Sequence, residues 1–111
     1  MGYLRRHAIV VTGDDFDDSK DILAAHAKAT EIFPWVSPIS PAATNGERSF
    51  FIPPDGSKEG WEESRLGDER RDKFVEWLRE DGQVHWVEVC YAEGEPNTRA
   101  TRASDMLDDD I

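Results

Sequence analysis

The chain has 111 residues, enough for one domain with one core and too few for two. Its 24 Asp and Glu against 13 Lys and Arg give a formal net charge of -11, which repels nucleic acid and anionic membrane surfaces and favours a basic partner. A single cysteine, Cys90, excludes an internal disulfide, and no apolar run approaches the roughly 20 residues that span a bilayer, so the expectation is a cytoplasmic protein held together by packing.

Leu4 to Thr12 reads as a strand, because Ile9, Val10 and Val11 form a β-branched run; Gly13 ends it. The apolar stretch within Met1 to Val11 is too short for a secretory signal. Asp14, Asp15, Asp17 and Asp18 precede a helical pattern, where carboxylates complement the positive end of the helix dipole. They lack the alternating ligands, central Gly and distal Glu of a calcium loop. The helix is expected from Ser19 to Phe33, with Ile22, Ala25, His26, Ala29, Ile32 and Phe33 on one face and Pro34 ending it. His26 falls within that stripe and is read as a core or boundary residue.

Trp35 to Ala43 is extended but holds Pro38 and Pro41, which confines it to a sheet edge. Asn45-Gly46 predicts a two-residue type I′ hairpin leading into Glu47 to Ile52, with Phe50 and Phe51 on opposite faces. Pro53 to Ser64 is a connection containing the turn Pro54-Asp55-Gly56 and one large apolar group, Trp61, expected to pack down as an anchor. Asp68 is a candidate N-cap for a second helix that turns Phe74, Val75, Trp77 and Leu78 inward and stops near Asp81-Gly82. Val84 to Ala92 alternates as a strand, with His85, Val87, Val89 and Tyr91 expected to face the core and Trp86, Glu88 and Cys90 the other side. From Glu93 onward periodicity is lost. The organisation expected is therefore a single α+β domain over 1–93 and a mobile acidic tail over 94–111.

This order of elements predicts a ferredoxin-like β-α-β-β-α-β sandwich, a four-stranded antiparallel sheet with two helices on one face. The other face would be left uncovered, carrying a subset of Ala8, Val10, Phe50 or Phe51, Trp86 and Cys90. A symmetric homodimer through that face is the expectation. The RNA-binding use of such a face is not supported, because Glu47 to Ile52 lacks the alternating aromatics and Gly of that motif and the net charge opposes it.

No catalytic, cofactor-binding or metal-binding set is recognised. His7, His26 and His85 are scattered, Cys90 has no neighbouring base, and Gly56, Gly60 and Gly67 fit no phosphate-binding loop. Interaction candidates are Trp61, Trp86, Phe50, Phe51 and the acidic group Asp14, Asp15, Asp17 and Asp18. A polar ligand pocket is conceivable where Asp55, Lys58, Glu59 and Arg65 meet beside Trp61.

The segments His7 to Thr12, Asn45-Gly46 followed by Ser49 to Ile52, and Pro54 to Trp61 resemble a set of small phage- and bacterial-genome-encoded proteins of uncharacterised function, over about residues 3 to 92. That resemblance implies an accessory role on a mobile element and assigns no catalytic residue. The leading expectation is a non-enzymatic interaction module, dimeric through its sheet and able to meet a basic protein. A nucleic-acid mimic using the Asp14 to Asp18 and Asp108 to Asp110 carboxylates is one alternative, and a ligand-binding protein or enzyme with a site near the 53–65 loop is another.

Overall fold

A computed structural model of the chain describes residues 6–14, 21–41, 44–56, 60–80, 83–91 and 98–105. Its elements run β1 (Arg6–Asp14), α1 (Asp21–Ile32), a 3-10 turn (Thr44–Gly46), β2 (Glu47–Ile52), α2 (Glu62–Glu80), β3 (His85–Tyr91) and β4 (Arg99–Ala103). The four strands form one sheet in the order β2-β1-β3-β4 with every neighbouring pair antiparallel, an α+β fold. The ferredoxin-like order is met roughly, because one expected strand does not form and another is added.

The strand expected over Trp35 to Ala43 does not form across its described residues, 35–41, and the repeated Ser-Pro pair explains why. The Ser37 N–H donates to the Phe51 carbonyl at 3.0 Å and the Ser40 N–H to that of Ser49 at 2.8 Å, so the segment lies beside β2. Three steps along it match two along β2, which breaks the ladder as a bulge does. The return bonds go to hydroxyls: the N–H groups of Phe51 and Ser49 donate to Ser37 Oγ at 2.8 Å and Ser40 Oγ at 3.0 Å. The Ser37 carbonyl is occupied by His26, whose Nε2 donates to it at 2.9 Å. The turn that follows is likewise a 3-10 turn rather than a two-residue hairpin, although Gly46 does take a positive φ of 67°.

Both helices cover one face. Ile22, Ala25 and Ala29 of α1 and Phe74, Val75 and Leu78 of α2 pack with Ile9, Val11, Phe50, Ile52 and Trp86 into one buried cluster. The face of β3 read as inward is in fact the outer one. Val11 stands opposite Trp86 and Ile9 opposite Glu88, so Trp86, Glu88 and Cys90 point to the helices and His85, Val87, Val89 and Tyr91 away. Glu88 made that face look polar, yet it is only 3% exposed.

Its burial depends on β4, which arises where an aperiodic tail was expected. Arg102 donates from Nε and Nη2 to the two Glu88 carboxylate oxygens at 2.8 Å each, and Thr101 Oγ1 adds a third bond at 2.7 Å. Arg102 also reaches Asp72 of α2 at 3.0 Å, tying the strand to the helix layer. Ser104 then extends the pairing, exchanging bonds of 3.0 and 3.2 Å with the backbone of Trp86.

The second helix begins at Glu62, six residues before the expected cap at Asp68. Its first turns are held by charge: Arg65 bonds Glu62 and Glu69, and the Trp61 carbonyl accepts the Ser64 and Arg65 N–H groups.

Candidate functional site

The surface opposite the helices is built from cross-strand rows. Phe51, Val10, Val87 and Ala103 stand side by side on β2, β1, β3 and β4, and Ala8, Val89 and Ala100 form the next row. A polar row of Ser49, Thr12 and His85 flanks them, with Thr12 and Ser49 hydroxyls 2.8 Å apart, and Arg6 and Tyr91 close the other end. These four rows contain no carboxylate; the next pair in register on the same side is Asp14 with Glu47, and Asp105 stands at the β4 end. Phe51 is 43% exposed and Val10, at the centre of the sheet, 38%. Trp35 meets Phe51 edge-on with ring centroids 6.3 Å apart, which raises an aromatic ridge along the β2 side. Along β3 and β4 the small residues Ala100 and Ala103 leave an open depression of about 510 Å³, bordered by Val10, Thr12, His85, Val87 and Asp105.

Of the described interaction candidates, Phe51 lies in the apolar rows of this face, and Asp14, opposite Glu47, takes a register position at its end. Phe50 and Trp86 are buried beneath the helices, Phe50 against the edge of the His26 ring at 4.9 Å and Trp86 under the Arg79 guanidinium at 5.1 Å. Trp61, expected as a packed anchor, is half exposed at the start of α2. Asp14 closes β1, whereas Asp15, Asp17, Asp18 and Asp108 to Asp110 lie outside the described residues. Trp35 was missed as a surface group; its place between a helix-ending proline and two more prolines is the signal that it sits on an edge.

A second concavity of about 270 Å³ lies between the ends of α1 and β2 and the first half of α2. Phe33, Trp35, Ile52 and Pro54 give it apolar walls, and Asp55, Arg70 and Arg71 line its polar end. Gly67 makes this arrangement possible. A Cβ there would stand 2.2 Å from Asp55 Oδ2 and 3.3 Å from Arg71 Nη1, so only glycine lets the Asp55 carboxylate rest on the helix backbone. Arg71, nearly buried, is engaged with Asp68 and lies 3.7 Å from Glu88. Of the four ligand-pocket candidates, Asp55 lines this concavity, Arg65 is on the solvent side of α2 and lines a separate surface hollow, and Lys58 and Glu59 fall outside the described residues.

The buried charges between α2 and the sheet have a strong directional preference. Burial raises the Glu88 pKa, but hydrogen bonds from Arg102 and Thr101 and the charges of Arg102 and Arg71 outweigh it and hold the carboxyl below its ordinary range. Its bond to Glu88 raises the Arg102 pKa in turn. Every partner here is committed within the fold, so the network reads as a fastening. Among the described residues no group of three His, Cys, Asp or Glu could hold a metal ion, and no helix is long and apolar enough to cross a membrane.

The chain matches no family model, and no curated protein or solved structure is significantly similar to it.

Proposed function

We propose that this chain is a non-enzymatic interaction module that associates through its uncovered sheet face, with a second copy of itself as the occupant. The observation that carries this reading is the pair of apolar rows across the middle of the sheet, Phe51, Val10, Val87 and Ala103 beside Ala8, Val89 and Ala100, on a chain of net charge -11, with Glu47, Asp14 and Asp105 at the margin. Two like-charged molecules can meet there with their acids kept to the margin of the contact. Shape supports the same pairing. A twofold axis along the strands lays the Phe51 and Trp35 ridge of each copy over the β3–β4 depression of the other, an aligned sheet-on-sheet packing.

Four strands at roughly 4.8 Å spacing make the face about 14 Å wide, and the rows run about 20 Å along the strands. That is small for a permanent interface, so dissociation in the micromolar range is expected. Sedimentation equilibrium tests it. The dimer should tighten with added salt, which screens the mutual repulsion, whereas association with a basic partner would weaken. Val10→Glu places an acid at the centre of each face and should yield a monomer with an unchanged melting temperature. A strict monomer at millimolar concentration, or a dimer indifferent to Val10→Glu, would overturn the reading. An accessory role on a mobile element, as the sequence resemblance implies, is compatible with such a module.

A further inference from the structure

We infer that the 270 Å³ concavity under the Pro53-Pro54-Asp55 turn is a binding site for a small organic carboxylate with a flat apolar body. The inference does not rest on the sheet-face reading, with which it shares only Trp35 as a bordering residue, and it gives substance to the ligand-binding alternative.

Size comes first. A dry apolar cavity of about 150 Å³ accommodates a benzene ring, so this one has room for a single ring with a short substituent, about ten non-hydrogen atoms. The walls suit a ring. Phe33 and Trp35 at the end of α1 and Ile52, Pro53 and Pro54 at the end of β2 present rigid apolar surface, and the prolines withhold N–H donors from it.

Charge then selects among ligands of that size. Three ionised groups line the polar end, Asp55, Arg70 and Arg71. Arg71 is engaged with Asp68 and Glu88, and the Asp55 carboxylate rests over Gly67 beside the Arg71 guanidinium. Arg70 differs: it is half-buried at the pocket and makes no hydrogen bond or ion pair among the described residues. Its guanidinium is the uncommitted charge of the site, and its fork of N–H donors matches a carboxylate in two-point geometry. Asp55 already has a partner, which a cationic ligand would have to displace. The pocket is therefore complementary to an aryl-acetate type of anion, ring against Ile52 and Phe33 and carboxylate on Arg70.

Two-dimensional amide NMR of the full chain, titrated with phenylacetate, phenylacetamide, 2-phenylethylamine and acetate, tests this. Phenylacetate should shift the Gly67, Arg70 and Ile52 amides saturably, with a dissociation constant of about 0.1–1 mM given the ligand's size. Phenylacetamide, of the same shape without the charge, should bind about tenfold more weakly, and acetate and the amine should not saturate. Arg70→Gln should reduce phenylacetate to the level of the amide ligand, with Arg70→Lys between them. No saturable shift with phenylacetate by about 10 mM overturns the site. Equal binding of acid, amide and amine, or binding indifferent to Arg70→Gln, overturns the charge selection. The comparison of ligands on the unaltered chain decides the matter even if a variant folds poorly.

Discussion

Replacing Arg102 by methionine tests whether the C-terminal strand is part of the folded core. In the intact protein Glu88 is 3% exposed, with both carboxylate oxygens bonded by Arg102 at 2.8 Å and Oε1 also by Thr101 at 2.7 Å. Removing Arg102 leaves Thr101 and the more distant Arg71, 3.7 Å away, to hold a desolvated charge. Stripping one partner from a buried pair costs about 3–5 kcal/mol. Since the Arg102 side chain is 29% exposed and water can enter behind it, the lower end applies, about 3 kcal/mol. On a domain of this size that is a drop of roughly 15 °C in melting temperature. Urea unfolding followed by tryptophan fluorescence gives the free energy directly, and hydrogen exchange at 99–103 shows whether β4 is released. The double variant Glu88→Met with Arg102→Met should recover most of the loss, because an apolar pair of similar volume carries no desolvation penalty. A single-variant cost below about 0.5 kcal/mol, the value for an exposed pair, would show that β4 is not docked and that Glu88 reaches solvent.

The same carboxylate gives the protein an acid limit. Its folded pKa lies below the unfolded value, so its contribution to stability is complete above the ordinary carboxylate range and is lost as pH falls through the depressed folded value. Glu88→Gln should flatten that part of the stability profile, and an unchanged profile would contradict the assignment. Gly67→Ala should be unfavourable or neutral in the native background, despite a helix preference of about 1 kcal/mol for alanine, and stabilising once Asp55 is also Ala. Additive effects of the two substitutions would mean that Asp55 does not rest on the helix. Ser37→Ala removes the acceptor of the Phe51 N–H and should cost about 1–2 kcal/mol in urea titration, with faster exchange at that amide. Cys90, 2% exposed, should react with a thiol reagent only at the rate of unfolding.

The helices and the central strands were legible because their cores are periodic. Ile22, Ala25 and Ala29 mark one stripe and Phe74, Val75 and Leu78 another, and the β-branched run at Ile9 to Val11 falls in β1. The first turns of α2 were not legible, since Glu62 to Gly67 carries no apolar stripe and is held by pairs around Arg65. The face of β3 was misjudged for a non-local reason: Glu88 can be buried only because Arg102, fourteen residues on, neutralises it. Arg99–Ala103 has no apolar alternation of its own, so nothing local announced it as a strand. Of the pocket, Asp55 was visible as a turn acid. Arg70 was not, since its role depends on how Arg71 and Asp55 are occupied.

The paired Ser-Pro units beside β2 act as a selvedge. An unfinished sheet margin offers alternating donors and acceptors to any passing extended chain, and that is how ribbons of β-structure propagate between molecules. Here the two prolines withhold donors, the hydroxyls of Ser37 and Ser40 turn inward, and the Ser37 carbonyl is taken by His26. Templated growth is thereby blocked along that border, which confines it to the far side of β4.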